Sequence, residues 1–234
     1  MLQQPYCRAW RPGTSDKYCL DRSYASDFHD LCNEYARLEN KLRNLLAHFG
    51  TSDSALKAGG KRVYALLREV RYELDHNFAQ VLKANRYSGR RRDWTWDDFK
   101  KLEPLLHMSE YEVSLPPCSA YPARLRPFLS WEREQPEWYR GNYRLFIAEK
   151  ETYENATLEN ALNMLAGLYC VLYAQFGTNL AVALRPRTRK EGEGYFTAQS
   201  IFSVKPPCFS LEEQYGFQWE AIKKKKGQCV PFFS

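Results

Sequence analysis

Histidine is scarce in this chain, and metal-binding spacing is missing. The 234 residues include four histidines and seven cysteines but no Cys-x-x-Cys pair, so the ligand pattern of a structural zinc site is absent. There is no Gly-rich phosphate loop of the Walker type and no nucleophile elbow. No repeat period is visible, which argues against a solenoid. The longest apolar segment, Ala161 to Phe176, is interrupted by Asn163 and Gln175 and falls short of the about 20 residues that a membrane span needs. The opening residues MLQQPYCRAWRPG lack the apolar stretch of a signal peptide, and Cys229 lies too far from the last residue for prenylation. An odd number of cysteines without paired spacing suits a reducing compartment, so the expectation is a cytoplasmic protein without a membrane segment.

Charge and aromatic residues are plentiful. The net charge is +6, and two runs account for it: Arg90, Arg91, Arg92 and Lys223, Lys224, Lys225, Lys226. Without them the body is near neutral, so the runs read either as two solvated loops or as patches for an acidic partner. Aromatic residues make up 15% of the chain, which argues against disorder.

Hydrophobic periodicity predicts three long helices. Phe28, Leu31, Tyr35, Leu38, Leu42, Leu45 and Phe49 recur at steps of three and four, with Ser26 as the expected N-cap and Gly50 past the end. Val63, Leu67, Val70, Leu74, Phe78 and Val81 form a second stripe that should stop near Asn85. Leu158, Leu162, Leu165, Tyr169, Leu172 and Phe176 form the third, capped by Asn155 or Thr157 and ended by Gly177. Ala161, Met164, Ala166 and Val171 are also apolar, which makes this the expected central helix. Cys32 and Cys170 fall inside these helices and read as small buried hydrophobes.

Weaker signals lie between. Thr95 predicts a short capped helix from Trp96 to about Leu102, near Pro104. Glu110 to Leu115 alternates like a short strand, and four prolines make 116–127 a long connection. Glu137 to Lys150 reads as a helix, and Tyr195–Val204 and Phe217–Ile222 as short strands. The fold class expected is therefore mainly α: a helical bundle over residues 25–180, an irregular N-terminal arm over 1–24, and a C-terminal appendage with a basic tail over 181–234.

Arg43-Asn44-Leu45-Leu46-Ala47-His48 carries the sharpest chemical suggestion. Its Arg, polar residue and following His resemble the signature of HEPN-superfamily ribonucleases, in which imidazole serves proton transfer and guanidinium steadies phosphate. The pattern is short. An Arg separated from a following His by four to six residues arises about once by chance, and Arg22–His29 and Arg71–His76 also fit. On a regular helix Arg43 and His48 lie about 140° apart, so they meet only where a helix ends or two subunits contribute. Otherwise His48 is a last-turn histidine favoured by the helix dipole.

A wider resemblance covers roughly residues 62–178. EYEVSLP, RPFLSWEREQPEWY and ATLENALNMLAGLYCVLYAQFG resemble a group of bacterial and phage proteins of HEPN-like helical type. That group has an Asn-x-Val-Lys-His-x-Arg segment before the last helix. Here its Asn, His and Arg fall on Tyr143, Ile147 and Glu149. The resemblance thus implies a fold more than an activity.

Two further constellations stand out. Glu69, Glu73 and His76 share one helix face, and Glu73-x-x-His76 is a single copy of a pair that di-iron bundles use twice, so no metal or other cofactor is expected. Arg86, Arg90, Arg91, Arg92 and Trp94, with Tyr87 and Trp96, mix cations and rings as single-stranded nucleic-acid sites do, although the tryptophans also suit packing beneath a loop. The catalytic candidates are Arg43, Asn44, His48, Arg71 and His76. Two functional readings follow. One is a HEPN-like RNA-binding protein, an endoribonuclease of stress or phage defence if active. The other is a non-catalytic interaction module: an antitoxin, an adaptor or an inactive homologue. The partners implied are RNA, a second copy of the chain, or another protein.

Overall fold

The computed structural model describes residues 1–49, 52–89, 94–115, 124–140, 156–184, 200–224 and 227–233. The fold is mainly α. Three long helices dominate: α1 Phe28–Phe49, α2 Lys61–Ala84 and α3 Leu158–Phe176. Short helical turns lie at Asp53–Leu56, Trp96–Phe99, Glu103–Leu106, Thr178–Ala183 and Trp219–Ile222.

The three stripes close on one another. On α1, Phe28, Leu31, Tyr35, Leu38, Leu42 and Leu45 are buried, and on α2 all six stripe residues are. α3 packs against both and is buried on nearly every side; only Glu159, Asn160 and Asn163 escape. Thr157 caps α3 by accepting the Asn160 N–H at 3.2 Å. Gly177 ends it with φ +57°, and a Cβ there would collide with the Trp10 indole.

α1 begins one residue later than Ser26 suggests. The Asp27 carbonyl accepts the Leu31 N–H at 3.0 Å, and the Asp27 carboxylate is held bidentately by Arg8. Thr95 starts its helix as expected, with the Asp98 carboxylate accepting from the Thr95 N–H and hydroxyl.

β1 (Glu112–Ser114) lies between β2 (Arg124–Leu125) and β3 (Ser203–Lys205), both antiparallel to it, with Val113 opposite Leu125 and Val204. Phe217–Ile222 is not a strand. Its aromatic residues close on Tyr18, the Trp219 indole donates to Asp21 at 3.0 Å, and the chain coils into a helical turn from Trp219. Within Glu137–Lys150, residues 137–140 are helical, and 141–150, with Tyr143, Ile147 and Glu149, lie outside the described residues. So do 116–123, 185–199, Lys225 and Lys226.

The flanking segments share the core. Ala9, Trp10, Tyr18, Cys19, Tyr215, Phe217 and Ile222 belong to the same apolar cluster as the helices. The Trp10 N–H donates to Ala174 at 2.7 Å and the Tyr215 hydroxyl to Ala9 at 2.9 Å, so residues 1–20 lie between the end of α3 and the last segment. Among the described residues no helix is long and apolar enough to cross a membrane.

Candidate functional site

The end of α1 and the start of α2 leave a groove of about 280 Å³ between them. Asn44 and His48 stand one turn apart on α1, and Lys41 lies a further turn back; Arg62 and Glu69 face them from α2, with Leu45, Ala65 and Leu66 as the apolar floor. His48 and Arg62 are exposed to solvent. Lys41 donates to both Glu69 oxygens at 2.7 Å, and Arg37 reaches the same carboxylate at 2.6 Å. Burial pushes the Glu69 carboxyl up, but Lys41 and Arg37 outweigh it and hold it below the ordinary range. Arg62 has no ion pair among the described residues. The groove therefore combines a solvated imidazole, an amide and an available guanidinium with a neutralised Lys–Glu pair.

Arg43 faces elsewhere, as the helical angle requires. Its guanidinium donates to Glu39 at 2.9 Å, and the Glu39 carboxylate, only 3% exposed, also accepts the Ile201 N–H. Burial raises the Glu39 pKa against the opposing pull of that N–H and of Arg43. Arg43 and Glu39 thus hold the segment after residue 200 against α1.

Arg71 and His76 are not joined either. Arg71 is buried; its Nε meets Asp75 at 2.8 Å, its Nη1 donates to the Tyr139 carbonyl at 3.0 Å, and its guanidinium lies 3.2 Å from the Tyr139 ring centroid. The Tyr139 hydroxyl completes the triad by donating to Asp75 at 2.8 Å. His76 stands half-buried, its ring stacked on Tyr72 at 6.2 Å. Glu69 and Glu73 line a shallow depression with Arg37 and Tyr72. Among the described residues no group of three or more His, Cys, Asp or Glu is arranged to hold a metal ion.

The basic–aromatic stretch lies at the far end of α2. Arg86 is exposed, just past the helix end, and the 24 residues of α2 span about 36 Å, so it shares no site with His48. Trp94 packs partly buried against the core, and Trp96 closes on Trp131 and Tyr139, each at 4.6 Å. Arg90, Arg91 and Arg92 lie outside the described residues.

Three features escaped the sequence reading. Arg62 and Lys41 join Asn44 and His48 only through the α1–α2 crossing; the i, i+3, i+7 spacing of Lys41, Asn44 and His48 was the one available signal. His107, in a left-handed conformation at φ +52°, meets Glu110 at 2.9 Å and Glu213 at 3.3 Å. Cys7 and Cys229, far apart in sequence, line one pocket.

No family model matches the chain, and neither a curated protein nor a solved structure does.

Proposed function

We propose that the α1–α2 groove binds the backbone of single-stranded RNA and that the protein is a HEPN-like endoribonuclease with His48 as its proton-transferring group. The observation that carries this reading is the shared groove: His48 and Asn44, two residues of the Arg-Asn-x3-His motif, open into it beside Arg62, which takes the part that the motif gives to Arg43. Imidazole with a reference pKa of about 6.5 suits proton transfer at neutral pH. Arg62 would balance the charge of the phosphoryl oxygens, and the Asn44 amide would donate to one of them. His48 takes the proton of a ribose 2′-hydroxyl, the freed oxygen attacks the adjacent phosphorus, and the 5′-oxygen departs, regaining a proton through water. The products are a 2′,3′-cyclic phosphate and a 5′-hydroxyl. A second copy of the chain facing the groove would add a second imidazole.

The second reading, a non-catalytic interaction module, is favoured by the commitment of Arg43 and Arg71 to carboxylates inside the protein. One experiment separates the two. Labelled single-stranded RNA is incubated with wild type, His48→Ala, Arg62→Ala and His76→Ala, with binding measured at two salt concentrations. The nuclease reading expects His48→Ala to lose about 10²-fold or more in cleavage while keeping affinity, and Arg62→Ala to weaken salt-sensitive binding by about 5–10-fold. His76→Ala leaves both unchanged. Binding without cleavage supports the interaction module, and RNA binding insensitive to Arg62 removes the groove from either account.

A further inference from the structure

Cys7 and Cys229 are brought together by a built arrangement rather than by chance proximity. Residues 5–7 and 229–230 pair as a parallel bridge: the Cys7 N–H donates to Val230 at 3.2 Å, and the Val230 N–H donates to Pro5 at 2.8 Å. Asn85, fully buried at the end of α2, ties both segments. Its Nδ2 donates to the Cys7 carbonyl at 2.7 Å, and its Oδ1 accepts the Phe232 N–H at 3.0 Å. Arg8 turns the chain sharply at φ +52°, a conformation that its bonds to Gln175 and Asp27 hold in place. The rings of Tyr6 and Phe232 close edge-on at 5.5 Å above the bridge.

The two cysteines line one pocket and are unequal. The neighbouring Cys229 lowers the Cys7 pKa, while Cys7 and burial raise that of Cys229; burial opposes the lowering at Cys7, and the charge of Arg86 adds to it. Both cysteines are half-buried and line an open pocket of about 760 Å³ that also carries Arg22, Lys83 and Lys224. Small polar reagents can therefore reach them. By contrast, Cys19, Cys32 and Cys170 are buried, and burial pushes the Cys32 thiol up to about 12.

We propose that Cys7 and Cys229 form a peroxide-responsive dithiol, with Cys7 as the attacking thiolate and Cys229 as the resolving thiol, whose disulfide ties residues 1–10 to residues 227–233. The chemistry balances. The Cys7 thiolate attacks one oxygen of a hydroperoxide, the O–O bond breaks, and a sulfenic acid forms as hydroxide, or an alkoxide that takes a proton from water, leaves. The Cys229 sulfur then attacks the sulfenic sulfur and water departs with the Cys229 proton. Two thiols lose two electrons and two protons; hydrogen peroxide gains them and becomes two waters. The site is independent of the α1–α2 groove, so its fate does not depend on the RNA reading.

The test uses the reduced 234-residue chain and stoichiometric hydrogen peroxide, followed by non-reducing digestion and mass spectrometry. The expected product is a Cys7–Cys229 linked peptide pair, lighter than its parts by two hydrogens, formed in native buffer and lost as the preferred pairing in denaturant. In Cys229→Ser, dimedone should trap a sulfenic acid at Cys7 faster than at the exposed Cys208. Oxidation of Cys208 without the Cys7–Cys229 link in wild type overturns the proposal, whatever the folding of the variant. So does an equal yield of that link in native and denaturing buffer.

Discussion

Glu39 is a carboxyl group carried into the interior of a helical bundle. It is 3% exposed, it accepts the Ile201 N–H and the Arg43 guanidinium, and burial still raises its pKa above the ordinary 4.5. A raised native pKa means that the folded state holds the proton when the unfolded chain has released it. The associated stability is complete below about pH 4.5 and is lost as pH rises through the native value. Glu39→Gln should therefore flatten the decline of stability with rising pH above about 4.5, measured by urea unfolding at several pH values; an unchanged slope contradicts the assignment. Arg71 is a buried cation. Its place in a triad with Asp75 and Tyr139 makes it a structural cation, and its spacing to His76 carried no trace of that, because Tyr139 lies 68 residues away. His48 and Asn44 were legible as a pair because both sit on one helix; Arg62 was not, because only the crossing of two helices brings it near.

At the scale of elements, periodicity was enough for α1, α2 and α3, because burying a stripe at 3.6-residue spacing is what holds each in place. Thr157 and Gly177 were legible as caps for local reasons. Ser26 was not the start of α1, since Arg8 and Asp27 meet through tertiary contact just there. Phe217–Ile222 read as a strand from its alternation, but Tyr18, Asp21 and Trp219 impose a turn that no local rule anticipates. Gly177 gives this scale its prediction. With φ +57° and the Trp10 indole against it, Gly177→Ala must strain the backbone and displace the ring. The expected cost is about 2–4 kcal/mol, read as a lower urea midpoint with an unchanged m-value. A midpoint within error of wild type would mean that the α3 end and Trp10 are not coupled.

Across the whole molecule, the described residues form one apolar cluster to which residues 1–20 and 200–222 contribute alongside the helices. Sequence reading placed these segments outside the bundle because they lack period, yet aromatic contacts such as Tyr18 with Phe217 need none. The two ends of α2 border separate cavities: the His48–Arg62 groove at its start, and the Cys7–Cys229 pocket by Asn85 at its end. With four histidines in the chain, the ring-proton NMR signals of His29, His48, His76 and His107 can be followed individually while a short single-stranded RNA is titrated in. The groove account predicts that His48 shifts in a saturable, salt-sensitive way and that the other three stay in place. A saturating shift at His76 or His107 with His48 unmoved would contradict it.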